Sequence, residues 1–130
     1  MSPRRERAGA ALAELVNHGA ARDVALVCGS FRHELVAELA HAAPEIPRSV
    51  LFGAGWDVPG MVRTCRDLGA EYAHPCVRPI DASVVDGLHA ASLRVMTPHT
   101  NDLAEAIRFV KLRVDVIASD DPRVLLALRS

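Results

Sequence analysis

The sequence has few aromatic residues, no excess of either charge and no long apolar run. Aromatic side chains make up 4% of the 130 residues, and 15 basic residues are balanced by 16 acidic ones. Nucleic-acid-binding proteins usually show a basic excess and stacking aromatics, so we expect no nucleic acid as a partner. The apolar runs are too short to cross a bilayer, so we expect no membrane span either.

Cysteine is also scarce. Cys28, Cys65 and Cys76 are an odd number and form no C-x-x-C pair. This usage excludes a disulfide scaffold and predicts a reduced, cytoplasmic setting.

The chemical motifs of common enzyme classes are missing as well. The six histidines show no H-x-H or H-E-x-x-H spacing, and the chain has no G-x-S-x-G, P-loop or G-x-G-x-x-G motif. These residues therefore predict neither a histidine metal site nor a catalytic nucleophile.

The pattern that is present alternates short apolar runs with helical periodicity. We predict a first helix over 3–17 and then five strand–helix units. Strands that alternate with helices indicate a parallel sheet, because parallel neighbours need long crossovers. We expect one α/β domain over residues 1–130, with the sheet either open or part of a barrel. The predicted strands are Val24–Cys28, Ser49–Phe52, Glu71–His74, Leu93–Met96 and Val114–Ala118.

Several residues are placed to begin or end these helices. Short polar side chains can accept hydrogen bonds from the free N–H groups of a first helical turn, and a glycine readily takes the left-handed conformation after a last turn. Gly69 is the expected glycine after a helix. The predicted caps are Ser30, Asp57, Asp81, Asn101 and Asp121.

In parallel α/β folds, ligands bind at the carboxyl ends of the strands. Their polar residues also have purely structural interpretations, as helix caps or as turn residues beside proline. The five segments selected by this rule are 29–31, 53–56, 74–75, 98–101 and 119–121.

The same segments resemble a known family. Ser30-Phe31 with Pro44-Glu45-Ile46-Pro47 is similar to the "S-F … P-x-I-P" region of glycerophosphodiester phosphodiesterases. Gly69–Pro75 resembles the family's "G-A-x-x-x-x-P" strand. Asn101 takes the asparagine position of "W-T-V-N", and Val114–Pro122 resembles "V-D-G-I-I-T-D-x-P" without a gap.

This resemblance implies a partial (β/α) TIM-barrel-like unit, made of the last five β-α units of an eight-stranded barrel. An open, doubly wound, flavodoxin-like sheet is the alternative. The family hydrolyses phosphoric diesters in glycerophospholipid metabolism with a divalent cation such as Mg²⁺ or Ca²⁺. Its H-R-G and E-x-D motifs are absent from this sequence. We therefore expect a truncated protein that is inactive alone and holds no cofactor itself.

The resemblance also suggests which residues line the substrate side. We expect Phe31 and Trp56 to supply apolar contacts, and His74, His99 and Asn101 to supply polar ones. A glycerophosphodiester or a phosphate group is the expected ligand.

Five strands cannot close a barrel of eight, and an open arc exposes two sheet edges. We expect a homo-oligomer, or a separate chain that supplies the amino-terminal half-barrel. A fragment of a longer product is a further interpretation. A non-catalytic binding or assembly module is the alternative function. A receiver-like domain is disfavoured, because no acidic cluster follows the first strand and Lys111 is the sole lysine.

Overall fold

The computed structural model describes residues 28–78 and 80–129, without the side chain of Cys28. The predicted helix over 3–17 and residues 24–27 of the first predicted strand lie outside this part. No helix in the described ranges is long and apolar enough to cross a membrane. The elements are β1 (Cys28–Ser30), α1 (His33–Ala42), β2 (Arg48–Phe52), α2 (Val58–Leu68), β3 (Tyr72–Pro75), α3 (Ala82–Ala90), β4 (Arg94–Val95), α4 (Leu103–Lys111) and α5 (Pro122–Leu128).

The four strands pair in parallel and in their sequence order, β1-β2-β3-β4. Strand–helix–strand crossovers are right-handed almost without exception, so this order places every crossover helix on the same face of the sheet. A doubly wound sheet instead reverses its strand order and carries helices on both faces. The described strands therefore form a sector of a barrel wall, as predicted, and not the flavodoxin-like alternative.

The core lies on the helix-covered face only. Val50, Phe52, Ala73 and Val95 point to this face and belong to one buried cluster with residues from the helices. Neighbouring positions on the strands alternate between the two faces. The other face therefore carries Leu51 and His74, which are neighbours in the ladder between β2 and β3. In a barrel this second face would be the interior.

The predicted fifth strand at Val114–Ala118 is wrong as a full strand. Its residues make one isolated parallel bridge, between Val116 and Met96. Side chains take the place of ladder partners on both sides of the bridge. The Asp115 carboxylate accepts from the Val95 N–H at 2.7 Å, and the Thr97 hydroxyl accepts from the Ala118 N–H at 3.2 Å.

Most predicted caps are confirmed. The carboxylates of Asp57, Asp81 and Asp121 accept from backbone N–H groups of the helices that follow them, and Gly69 ends α2 with φ +64°.

Two predicted caps are wrong. Ser30 is not the cap of α1, because its hydroxyl accepts from the Arg32 N–H before the helix begins. Asp102 caps α4 in place of Asn101, whose side chain is bonded to a different loop.

Arg48 holds the amino-terminal end of the sheet together. Its buried guanidinium donates to the carbonyl oxygens of Pro44, Ile46 and Gly69 at 3.1, 3.2 and 2.7 Å. It thus joins the turn before β2 to the turn that ends α2. Because these bonds are made to backbone carbonyls at the end of the sheet away from the ligand-binding end of such folds, we assign Arg48 a structural role.

We predict that Arg48→Met destabilises the fold by roughly 2–4 kcal/mol, because it leaves buried carbonyl oxygens without donors. Arg66→Met is the matched control on the exposed side of α2 and should stay within about 0.5 kcal/mol of the wild type. Urea unfolding followed by circular dichroism measures both. Equal stabilities of the two variants would contradict the role of Arg48.

Candidate functional site at the carboxyl ends of the strands

Parallel pairing brings the carboxyl ends of all four strands to one edge of the sheet. Phe31 follows β1, Trp56 follows β2, and the segment 76–78 follows β3. The loop 97–101 follows β4 and lies against the loop 118–120. All five predicted site residues therefore lie at or beside this edge.

His74 is the most constrained of them. It lies in β3, half-buried on the face away from the helices, and its Nε2 is 2.6 Å from the carbonyl oxygen of Thr97. A carbonyl only accepts, so Nε2 carries the hydrogen. Burial lowers the pKa of the imidazole, against the opposing effect of this hydrogen bond. A neutral ring that donates through Nε2 leaves Nδ1 as an acceptor, which suits a ligand hydroxyl better than a phosphate.

Asn101 and His99 join the loop after β4 to the loop before α5. The Asn101 Oδ1 accepts from the Ser119 hydroxyl at 2.9 Å and from the Asp120 N–H at 3.0 Å. This fixes which atom of the amide is oxygen, and the exposed NH₂ group has no partner among the described residues. The His99 Nε2 lies 3.0 Å from Asp120 Oδ1. The His99 Nε2 is directed at that carboxylate, so Asn101 supplies the free N–H donors at this strand end.

A second polar link lies beside them and was missed by the sequence analysis. Arg78 donates through Nε and Nη2 to both carboxylate oxygens of Glu105, each at 2.6 Å, and through Nη2 to the His99 carbonyl at 2.8 Å. These bonds from Arg78, with a further one from Thr100, lower the pKa of Glu105 to about 2. Because Arg78 and Glu105 are 27 residues apart, no local spacing signals the pair.

Apolar side chains occupy the other part of the edge. Phe31 is 57% exposed, Trp56 43% and Val77 41%, one after each of three successive strands. The Trp56 ring packs edge-on against Phe52, with centroids 4.9 Å apart. A small cavity of about 70 Å³ opens beside it, lined by Phe52, Gly53, Trp56, Met61, Pro75, Val77, Ile80 and Val84.

A larger cavity, about 630 Å³, lies at the opposite, amino-terminal end of the sheet. Its lining includes the carboxylates of Glu45 and Glu71. Arg94, its one cationic side chain, is held over the Tyr72 ring at 5.8 Å. The two carboxylates repel anions, and the cavity lies away from the ligand-binding end of the fold. We therefore do not assign it a phosphate ligand.

The residues present do not fit a divalent cation. Mg²⁺ and Ca²⁺ need several oxygen ligands around one point. Asp120 faces His99, Asp121 is bonded to Arg123, and Glu105 is bonded to Arg78. Within 28–78 and 80–129, no group of three or more His, Cys, Asp or Glu side chains is arranged to hold a metal. That this chain binds no metal ion stays a prediction.

Comparison with known proteins identifies the architecture. No family model matches the chain, and no curated protein matches it in sequence. Solved structures do match. An Oleispira antarctica phosphodiesterase in complex with the product sn-glycerol-3-phosphate gives a TM-score of 0.84 at 22% identity, over 97% of this chain and 51% of that one.

Two further structures agree. A glycerophosphodiester phosphodiesterase from Agrobacterium tumefaciens gives a TM-score of 0.64 at 24% identity, over 89% of this chain and 50% of that one. One from Parabacteroides distasonis gives 0.67 at 17% identity, over 99% of this chain and 53% of that one.

The fold is that of half a glycerophosphodiester phosphodiesterase barrel. This chain spans about half the length of the solved structures that it matches. Identities of this size establish the fold. The functions of Phe31, Trp56, His74, His99 and Asn101 remain predictions.

We predict that Glu105→Gln lowers the free energy of unfolding at pH 7 by roughly 0.5–1 kcal/mol, the size of a partly exposed ion pair. The folded-state pKa is depressed from 4.5 to about 2. The contribution is therefore complete above the unfolded-state pKa and is lost as the pH falls towards 2. Urea unfolding at several pH values should show the gap between variant and wild type closing below pH 4.5.

Arg78→Met tests the same pair from the other side. It should lose at least as much stability as Glu105→Gln, because it also removes the bond to the His99 carbonyl. The double variant should be little worse than Arg78→Met alone, because both changes remove the same ion pair. A gap that does not change with pH, or strictly additive losses, would contradict the pairing.

Proposed function

We propose that this chain binds a glycerophosphodiester, or its phosphate-bearing product, at the carboxyl ends of its strands. In this proposal it forms the substrate side of a phosphodiesterase that acts in glycerophospholipid metabolism. The observation that supports it is the match at TM-score 0.84 to a phosphodiesterase in complex with sn-glycerol-3-phosphate. Ligand binding at this end of parallel strands is general for such folds.

The groups at the strand ends suit such a ligand. The free NH₂ of Asn101 can donate to phosphate oxygens, and His99 lies beside it with its Nε2 at the Asp120 carboxylate. His74, neutral and donating through Nε2 to Thr97, offers Nδ1 to a glycerol hydroxyl. The exposed rings of Phe31 and Trp56 lie at the ends of β1 and β2, where they can cover the carbon skeleton.

Hydrolysis is a separate matter. Attack on a phosphodiester needs charge neutralisation by a cation and a general acid–base pair. The carboxylates of Glu105, Asp120 and Asp121 are each engaged with a neighbouring side chain. We propose that the chain does not turn over substrate by itself and that a complementary half-barrel supplies the missing carboxylates.

A separate amino-terminal half-barrel is the proposed source of these carboxylates. A second copy of this chain would cover the open sheet edges without supplying them, because its carboxylates are engaged in the same way. Within the described residues, β1 pairs with β2 only, and beyond β4 lies a single bridge. Exposed strand edges tend to pair with another chain. A two-fold axis along the strands would keep all strands parallel and would join the β1 edge of each copy to the far edge of the other.

The alternative is a binding or assembly module without catalysis in any assembly. The engaged carboxylates favour it, since an enzyme keeps its metal ligands available. The two proposals share the ligand and differ in whether any partner restores hydrolysis.

The test uses purified protein from a size-exclusion peak of known mass. Calorimetry with sn-glycerol 3-phosphate should show saturable binding, and glycerophosphocholine with Mg²⁺, Mn²⁺ or Ca²⁺ should not be hydrolysed. The peak should have the mass of at least two chains. Chelator-sensitive hydrolysis by this chain alone would contradict the proposed inactivity, and absence of binding would contradict the proposed ligand.

Asn101→Asp is the sharpest variant for this test. It keeps the acceptor that holds Ser119 and the Asp120 N–H, replaces the NH₂ donors, and adds a negative charge beside the phosphate. Binding should weaken at least ten-fold, equivalent to about 1.4 kcal/mol. Asp86→Asn on the exposed side of α3 is the control and should bind as the wild type does.

A further inference from the structure

The small cavity beside Trp56 is the feature that the proposed function leaves unused. It lies between the ends of β2 and β3 and the first turns of α2 and α3. Its lining has no ionisable side chain and no hydroxyl or amide side chain. An apolar group that covers such a lining removes apolar surface from water, which is favourable. A volume of about 70 Å³ holds on the order of two or three methylene-sized groups.

The cavity lies at the same edge as the polar groups, one residue along the chain from Arg78. Val77 lines the cavity, and the next residue, Arg78, donates to the carbonyl of His99 at 2.8 Å. An apolar recess and the free NH₂ group of Asn101 therefore belong to the same end of the sheet. A ligand that satisfies both has a phosphate at one end and a hydrocarbon chain at the other.

The exposed apolar groups extend this surface outward from the cavity. Trp56 and Val77 line the cavity and are also 43% and 41% exposed. A chain longer than the cavity can lie over them.

We propose that the cavity receives a hydrocarbon chain, and that the ligand is a glycerol phosphate ester that carries one acyl or alkyl chain. This inference rests on the proposed function for the phosphate end of the ligand. It adds that the glycerol carries one hydrocarbon chain. The polar end binds near His99 and Asn101, and the chain enters past Trp56.

Trp56 makes the proposal directly measurable, because it is the one tryptophan of the sequence. Its emission should change when 1-acyl glycerol 3-phosphates with chains of two to eight carbons are titrated below their micelle concentrations. Affinity should rise about three- to four-fold for each methylene that enters the cavity. The rise should slacken after the first few carbons, when the cavity is full.

Gly53→Leu is the blocking variant. Gly53 lines the cavity, and a Cβ at this position meets no atom within 4 Å, so a larger side chain fits without disturbing the backbone. It should abolish the gain from the chain and leave sn-glycerol 3-phosphate binding unchanged. Ala54→Leu, one residue along the same exposed loop and outside the cavity lining, is the matched control and should keep the gain.

The outcomes separate the two proposals. Failure of sn-glycerol 3-phosphate to bind overturns the proposed function. Equal affinity at every chain length, or a gain that survives Gly53→Leu, overturns the proposed role of the cavity alone. Octyl glucoside carries a chain without a phosphate. If it binds as tightly as the acyl glycerol phosphate of equal chain length, the surface is an unspecific apolar patch and the inference is also overturned.

Discussion

Parallel pairing of β1 to β4 in sequence order is the constraint on which the rest of this structure depends. Because every crossover turns the same way, the helices cover one face and leave the other as a barrel interior. Because every strand runs the same way, four carboxyl ends meet at one edge. The exposed rings, the imidazoles and the amide of Asn101 come from distant parts of the chain and are neighbours only for this reason.

The polar groups at that edge make hydrogen bonds that stabilise the fold, and some of their donors and acceptors stay free. The His74 Nε2 donates to the Thr97 carbonyl, and the Ala118 N–H donates to the Thr97 hydroxyl rather than to that carbonyl. The ladder beyond β4 is thereby reduced to one bridge. Asn101 holds the loop before α5 by its oxygen and keeps its donors free. The same side chains thus set the shape of the site and leave hydrogen-bonding groups for a ligand.

The carboxylates at this edge, unlike the amide of Asn101, are all engaged with neighbouring side chains. Glu105 is held by Arg78, Asp121 by Arg123, and Asp120 faces His99. Each is paired with a neighbouring side chain of the same chain, which is the physical basis for our proposal that a phosphodiester binds here and is not hydrolysed by this chain alone. In the further proposal, the apolar cavity at this edge adds a preference among phosphate esters that the polar groups alone would not provide.

The sequence predicts features that depend on local backbone chemistry. Asp57, Asp81, Asp121 and Gly69 are where a helix start or end requires them, and the structure confirms each. Periodicity likewise predicts the alternation of strands and helices and the parallel sheet.

Contacts between residues that are far apart in the sequence were not predictable in the same way. Asn101 fits a cap equally well by sequence, but Asp102 is one residue nearer to the helix and Ser119 offers Asn101 another partner. The bond between Arg78 and Glu105 exists only after the chain has folded, as does the contact of Arg48 with the Gly69 carbonyl. The predicted fifth strand fails for the same reason, since side chains from elsewhere replace its ladder partners.

Amide chemical-shift mapping tests the central claim most directly. The ¹⁵N-labelled protein would be titrated with sn-glycerol 3-phosphate and its backbone signals assigned. We predict shifts at His74, Cys76, His99 and Asn101, at the carboxyl ends of the strands, with the amino-terminal end unchanged. Shifts confined to the opposite end, around the large cavity at Glu45 and Arg94, would contradict the account.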